Sequence, residues 1–429
     1  MRAAPLIFNL FPRYFETIRQ WAGILPHVAR MGFSHVYVNP FTATGFSGSL
    51  YAVKDYYLLN PYFLTAGQDQ SDWSPVRDFA AACGQYGMRL MADLVINHTA
   101  IDAPLVKTHP GWFLRDDCGK VVSPFAVDPA DSSKKTVWGD LAKINHRGTP
   151  DRQGLWNFFD RLVSFYQKTG IRCFRCDAAY QVPADLWRYL IASAKNRFPD
   201  TVFFAETLGC RPDQVLELKG TGFDYLFNSS KWWQFDSAWC TDQHEENRTV
   251  APSVSFPESH DTERLARECH GTVAVQKSRY VFAAVFSEGL LMTMGYERGA
   301  KKRMDVVRGA PRDLDEQSPW DLTDWIAAVN GMKGSQPVLS EEGRWRVLSP
   351  FDRQILVLEK HSLSGNDPVL IAINKNRNHR EPLSGGPDII EALKRYCALI
   401  RPCSSPGGST TLPDTVSMEP AEIIVCTTG

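Results

Sequence analysis

Four short segments close an apolar run on acidic or basic residues. They are Ala92-Asp93-Leu94-Val95-Ile96-Asn97-His98, Phe174-Arg175-Cys176-Asp177, Phe203-Phe204-Ala205-Glu206 and Phe256-Pro257-Glu258-Ser259-His260-Asp261. Taken singly, each acid reads as a solvated rim charge, the commoner fate of a carboxylate. Taken together they read as a catalytic set. A double displacement at an anomeric carbon needs two carboxyls about 5 Å apart, one to attack the carbon and one to protonate the leaving oxygen and later activate the acceptor. Asp177 and Glu206 close successive strand-like runs. Arg175, two residues before Asp177, shares its face and would pair with it, leaving Glu206 as the carboxyl of raised pKa.

Such side chains converge only if their runs are neighbouring strands that open onto one mouth. From the start to about residue 335, short β-like runs alternate with amphipathic stretches, the pattern of parallel strands joined by helical crossovers. The spacing predicts strands over 6–10, 35–39, 90–96, 173–176, 202–206, 225–228, 253–256 and 290–294, and helices over 73–86, 155–169, 184–197 and 275–287. Eight β/α units point to an α/β fold closed as a (β/α)8 TIM barrel, whose chemistry sits at the C-terminal strand ends. About fifty residues separate His98 from the next long helix, too many for an ordinary βα loop. The expected organisation is a catalytic barrel over 1–98 and 151–335, a small inserted domain B over 99–150 after strand 3, and a C-terminal antiparallel β-sandwich over 336–429. The last part shows alternating runs at 354–359 and 369–374, a final strand at 423–426, and turns at Ser384-Gly385-Gly386-Pro387 and 404–409.

The chain's 429 residues can hold a barrel of about 250 residues with an insertion and a further domain. A net charge of -1 gives no electrostatic reason to expect nucleic acid or an anionic membrane, and a neutral substrate fits better. No run approaches the ~20 apolar residues of a membrane span, and no cleavage site follows the short N-terminal apolar patch. Ten cysteines scattered from Cys83 to Cys426 suit a reducing compartment, so the cytoplasm is the expected location. Cys173 and Cys176 form a C-x-x-C within a strand, where they point to opposite faces, and no redox or metal centre is expected there.

The four segments resemble the signature regions of glycoside hydrolase family 13, the α-amylase family. Asp93 to His98 matches D-x-x-x-N-H, Gly170 to Ala179 matches G-x-x-x-F-R-x-D-A-A, the next strand ends in the acid/base Glu, and His260-Asp261 supplies H-D, in the family's order. Tyr51-Ala-Val-Lys-Asp55-Tyr56 resembles the family's Y-x-x-x-D-Y. The resemblance covers almost the whole chain. It implies Asp177 as nucleophile, Glu206 as general acid/base and Asp261 as the third carboxylate, which stabilises the distorted sugar. It further implies that Arg175, His98 and His260 bind the nucleophile and the same glucose, that Tyr51 stacks on that glucose, and that Asp93 is a buried partner for an arginine. No cofactor is implied. The one ion it allows is calcium near Asn97, with Asp128, Asp131 or Asp140 as oxygen partners, an incomplete set.

One departure bears on the reaction. Endo-amylases of the family carry a Lys-His pair after the nucleophile, whereas here the text reads Asp177-Ala-Ala-Tyr180-Gln181. Ordinary starch hydrolysis is therefore in question, because acceptor-side contacts decide what completes the second step. Tyr180, Trp232 and Trp233 are candidate stacking platforms on that side, with plain packing of helix on barrel as the alternative for the tryptophans. The implied function is a retaining hydrolase or transglycosidase acting on α-1,4-linked maltodextrin or glycogen-type chains, with a malto-oligosaccharide as partner. An α-1,4-glucan maltosyltransferase using maltose-1-phosphate is the nearest alternative. Lys301-Lys302-Arg303 beside a Gly-rich turn would suit the phosphate, although such a run is more commonly just solvated. A chain that begins directly at the first strand leaves no room for the extra N-terminal domains of those transferases. A non-catalytic sugar-binding or transporter-partner homologue is a third reading, opposed by the intact carboxylates.

Overall fold

Eight strands pair side by side in chain order and close on themselves: β1 (Leu6–Leu10), β2 (His35–Val38), β3 (Arg89–Leu94), β4 (Cys173–Cys176), β5 (Val202–Glu206), β6 (Tyr225–Phe227), β7 (Ser253–Ser255) and β8 (Gly289–Thr293). All eight pairings are parallel. This computed structural model describes residues 3–128 and 131–428, with the side chains of 126–134 outside the description. The barrel closes because every strand offers two apolar faces. Ile7, Met91, Cys173, Phe204, Phe227 and Leu291 fill the interior, while alternate residues such as Phe8, Val36, Ala92, Phe174 and Leu226 pack beneath the helices. Cys173 points inward and Cys176 outward, both as free thiols, as period-two alternation requires.

The principal helices are α1 (Ser74–Gln85), α2 (Arg152–Lys168), α3 (Ala184–Arg197), α4 (Trp239–Asn247), α5 (Val273–Phe286) and α6 (Thr323–Ser335). Asp151 starts α2 by accepting the Gly154 amide at 3.0 Å, satisfying one of the donors that a helix N-terminus leaves open. Between β3 and α2 the insertion is built on two antiparallel pairs, His98–Ala100 with Leu141–Lys143 and Phe125–Asp128 with Asp131–Val137. The first pair begins on a site residue, His98, so the insertion is rooted at the barrel mouth.

After α6 comes a six-stranded antiparallel sheet: β9 (Arg344–Val347), β10 (Ile355–His361), β11 (Val369–Asn374), β12 (Ala398–Arg401), β13 (Ser405–Thr411) and β14 (Ile423–Thr427), in the order β9-β10-β11-β14-β12-β13. A separate two-stranded pair joins Glu381–Pro382 to Ser417–Met418. The expectation of a turn over 404–409 is corrected here, since most of it lies in edge strand β13. That strand is written in Ser, Gly, Pro and Thr and is mostly exposed, so it shows no apolar alternation and is held by backbone pairing to β12. Among the described residues no helix is long and apolar enough to cross a membrane.

Candidate active site

The register of β3, β4 and β5 brings the acids together. Asp93 lies beside Arg175, and the pairs Arg175–Phe204 and Cys176–Ala205, continued by one residue, set Asp177 opposite Glu206. Adjacent strands run about 4.8 Å apart and neighbouring residues of a parallel pair share a face, so both carboxyls project into the same mouth.

Arg175 stands at the centre, buried. Its Nη1 donates to Asp93 Oδ1 at 2.8 Å and to Asp177 Oδ1 at 2.7 Å, and its Nη2 lies 3.9 Å from both Glu206 Oε2 and Asp261 Oδ2. One guanidinium thus faces four carboxylates in a setting where burial strengthens each interaction. The arginine partner expected for Asp93 is Arg175. Burial pushes the Asp93 carboxyl up, and the guanidinium partly offsets this. Two further donors reach the same acid, the Tyr37 hydroxyl at 2.5 Å and the Tyr51 hydroxyl at 2.7 Å.

Glu206 is held differently. Its Oε2 accepts the Ala178 amide and its Oε1 the Leu208 amide, each at 2.9 Å. Burial pushes its carboxyl up to about 7. Arg175 opposes that rise, while Asp177 and Asp261 add to it. Ala178 takes φ +43, a left-handed conformation uncommon outside glycine, and just past the end of β4 its N–H points to Glu206.

Asp261 is the outermost of the three, its side chain 53% exposed and 3.1 Å from His260 Nε2. His260 is buried, 2.6 Å from the Tyr51 hydroxyl, with its ring parallel to that of Tyr51 at 5.4 Å. Burial lowers the pKa of both His260 and His98, keeping the rings neutral near pH 7. His98 Nε2 meets the Tyr51 carbonyl at 3.2 Å. The loop carrying His260 and Asp261 is anchored by a wholly buried pair, Arg264 to Glu258 at 2.8 Å, with Arg264 also donating to the Met294 carbonyl of the next loop at 2.8 Å. Glu258, the other carboxylate of the segment that ends in Asp261, is therefore an anchor.

Tyr51, His98, Arg175, Asp177, Glu206, His260 and Asp261 thus form one connected set. Tyr180 is half-buried near Glu206, whose charge helps to raise its pKa, although burial is the larger cause. Trp232 is 40% exposed, its ring edge packed on Gly209 just past Glu206, where an added Cβ would lie only 3.0 Å away. Trp233 is a correction: at 1% exposure it packs edge-on against Phe282 and Phe286 of α5 and is no sugar platform. Trp232 ends a 3-10 turn and Trp233 follows it in extended backbone, so the two side chains point apart and α5 takes the second.

Sequence reasoning missed Tyr37 and Asn39. Asn39 Nδ2 donates to the Tyr51 hydroxyl at 3.0 Å, so the two residues carry Tyr51 together with Asp93. The signal was there, since His35-Val-Tyr37-Val-Asn39 alternates polar and aliphatic residues and thereby marks an inward polar face. Near the suggested cation site, Asn97 Oδ1 is a buried acceptor without a donor, while Asn97 Nδ2 faces Gln181 Oε1 at 3.3 Å. The side chains of Asp128 and Asp131 lie outside the described residues, and among those described no group of three or more His, Cys, Asp or Glu gathers as a metal site. Among the described residues, one free side-chain oxygen falls short of the six to eight oxygens a calcium ion takes.

A family profile described as the glucanotransferase domain of glycogen debranching enzyme matches residues 6–114. The chain is 25% identical over 392 residues to an α-1,4-glucan:maltose-1-phosphate maltosyltransferase of Burkholderia pseudomallei strain K96243, covering 88% of this chain and 33% of that protein. It is 24% identical over 424 residues to the enzyme of the same name from Methylacidiphilum infernorum isolate V4, covering 89% and 61%. The chain thus spans about a third to three-fifths of the length of these curated relatives. Among solved structures, an α-amylase from Lactobacillus plantarum superposes with a TM-score of 0.75 at 18% identity, covering 99% of this chain and 98% of that one, a likeness of fold. Signature segments, closed barrel and relatives all agree with the resemblance to glycoside hydrolase family 13, the α-amylase family.

Proposed function

We propose that the chain is a retaining enzyme that cleaves or transfers units of an α-1,4-linked maltodextrin or glycogen-type chain, with Asp177 as nucleophile, Glu206 as acid/base and Asp261 as the third carboxylate. The observation that carries this reading is the single buried guanidinium of Arg175 shared among Asp93, Asp177, Glu206 and Asp261. In the first step the Glu206 proton passes to the glycosidic oxygen as Asp177 attacks the anomeric carbon from the opposite face, and the bond to the leaving sugar breaks. In the second, ionised Glu206 takes a proton from water or a sugar hydroxyl, which displaces Asp177 and restores the starting configuration. A carboxyl pushed up to about 7 suits both duties near neutral pH. Arg175 balances the negative charge that alternates between the two acids. Asp261, half-exposed and beside His260, is available to the hydroxyls of the bound glucose.

Maltosyl transfer from maltose-1-phosphate is the second reading, favoured by the names of the relatives and by Tyr180-Gln181 in place of the Lys-His pair. The basic run contributes little: Lys302 pairs with Asp313 and Arg303 donates to the Asp261 carbonyl at 2.8 Å. Ten free thiols suit a reducing, cytoplasmic setting. Purified enzyme incubated with maltoheptaose, with and without maltose-1-phosphate, separates the outcomes. Shorter products alone indicate hydrolysis, and longer and shorter products without phosphate release indicate glucan transfer. Elongation with released phosphate indicates maltosyl transfer, and no product in any lane overturns the assignment.

A further inference from the structure

Behind the Glu206 loop a second cavity of about 380 Å³ opens between Gly209–Val215 and one face of α4, within the range of about 300–1,000 Å³ usual for small-ligand sites. Trp239, Asp242, Gln243 and Glu246 line it, and their i, i+3, i+4, i+7 spacing makes them a single helical face. That face is not what a helix turns to a core or to bulk water. It presents a tryptophan that is 43% exposed together with two carboxylates, neither of them in an ion pair among the described residues. Flat aromatic surface beside acceptors for vicinal hydroxyls is the chemistry that recognises sugar rings. Cys240, His244 and Asn247, on the other side of α4, are buried.

The cavity is mechanically joined to the catalytic loop. Gln243 accepts the Ser229 amide at 2.9 Å and donates to its hydroxyl at 3.0 Å, and that hydroxyl accepts the Gly209 amide at 3.3 Å, three residues beyond Glu206. The catalytic pocket ends on Leu208 and this cavity begins on Gly209, with the exposed Trp232 packed on the same glycine.

We propose that this cavity holds the far end of the glucan chain that occupies the acceptor side, with Trp239 as its stacking surface and Asp242 and Glu246 as hydroxyl partners. The proposal rests on the glucan-active reading above. Titration calorimetry on the Glu206→Gln protein, which holds sugar without turning it over, tests it with maltose and maltoheptaose as probes. Adding Trp239→Ala should raise the maltoheptaose Kd at least about fivefold, as loss of a stacking contact worth about 1 kcal/mol would, and leave the maltose Kd within about twofold. Trp239→Phe, which keeps a flat ring, should recover most of the loss. An unchanged maltoheptaose Kd, or an equal rise for both sugars, overturns the proposal. If the wild-type enzyme turns over maltoheptaose while Trp239→Ala binds it normally, only this inference falls. If neither binding nor turnover of maltoheptaose occurs, the functional reading falls with it.

Discussion

Glu206 carries the most informative proton in the molecule. Its carboxyl is held up to about 7 against an ordinary 4.5, so the basic limb of kcat/KM should fall near pH 7, as a pH–rate profile on maltoheptaose would read directly. Glu206→Gln should lose about 10²- to 10⁴-fold in kcat/KM and abolish that limb. The same group affects folding. Between pH 4.5 and 7 the folded chain binds the Glu206 proton more tightly than the unfolded chain does, so stability falls as the pH rises through that window, by roughly 3 kcal/mol in all. Denaturant titrations at pH 5 and pH 8 should show this slope in the wild type and a shallower one in Glu206→Gln. Arg175→Met should be far more damaging, costing about 3–5 kcal/mol, because it leaves buried carboxylates without their cation. The acids were legible in the sequence because a charge that ends an apolar run is visible in one dimension. The amides of Ala178 and Leu208 that grip Glu206 were not, since every residue has an amide and only the local φ and ψ aim it.

Elements decide which residue of a visible pair is useful. Trp232 and Trp233 are adjacent letters, yet the 3-10 turn ends between them, leaving the first on Gly209 and giving the second to α5. Trp233→Ala should cost about 3–5 kcal/mol in a thermal or chemical melt, whereas Trp232→Ala should stay within about 1 kcal/mol of wild type. At Gly295 the backbone adopts φ +87, and an added Cβ would lie 2.6 Å from Arg264 Nη2, inside the pair that anchors the His260–Asp261 loop. Gly295→Ala should therefore lower stability by about 1–3 kcal/mol and lower kcat/KM as well, since the shift passes to Asp261. The eight barrel strands were readable to within a residue or two because each carries apolar side chains on both faces. Edge strand β13 was not, since its Ser, Gly and Thr residues pair through the backbone and leave no pattern. The short insertion strands were hidden for a similar reason.

At the scale of the whole molecule, the C-terminal sheet packs on α5 and α6. Lys333 of α6 donates to the Ala284 and Ser287 carbonyls, and Lys360 of β10 to that of Phe286, so two buried lysines close the C-terminus of α5, where burial pushes both amines down, Lys360 to about 8. Glu342 supplies the counter-charge. It accepts the Ser253 hydroxyl at 2.5 Å and the Glu288 amide at 2.9 Å and lies 3.3 Å from His244, joining the first residue of β7 to the approach to β8. Glu342→Ala should cost about 3–5 kcal/mol by leaving these partners and the lysines uncompensated. None of this network was legible beforehand, because a lysine written in an apolar stretch looks like any surface lysine until its carbonyl partners are in place. The consequence is a division of inheritance. Because the lower ends of β7 and β8 are clamped by one polar network and the upper ends carry the chemistry, mouth loops can accumulate substitutions without drawing on the clamp. Glu342→Ala and Gly295→Ala should then be additive within about 0.5 kcal/mol in stability, the signature of a scaffold whose foundation and frontage vary independently.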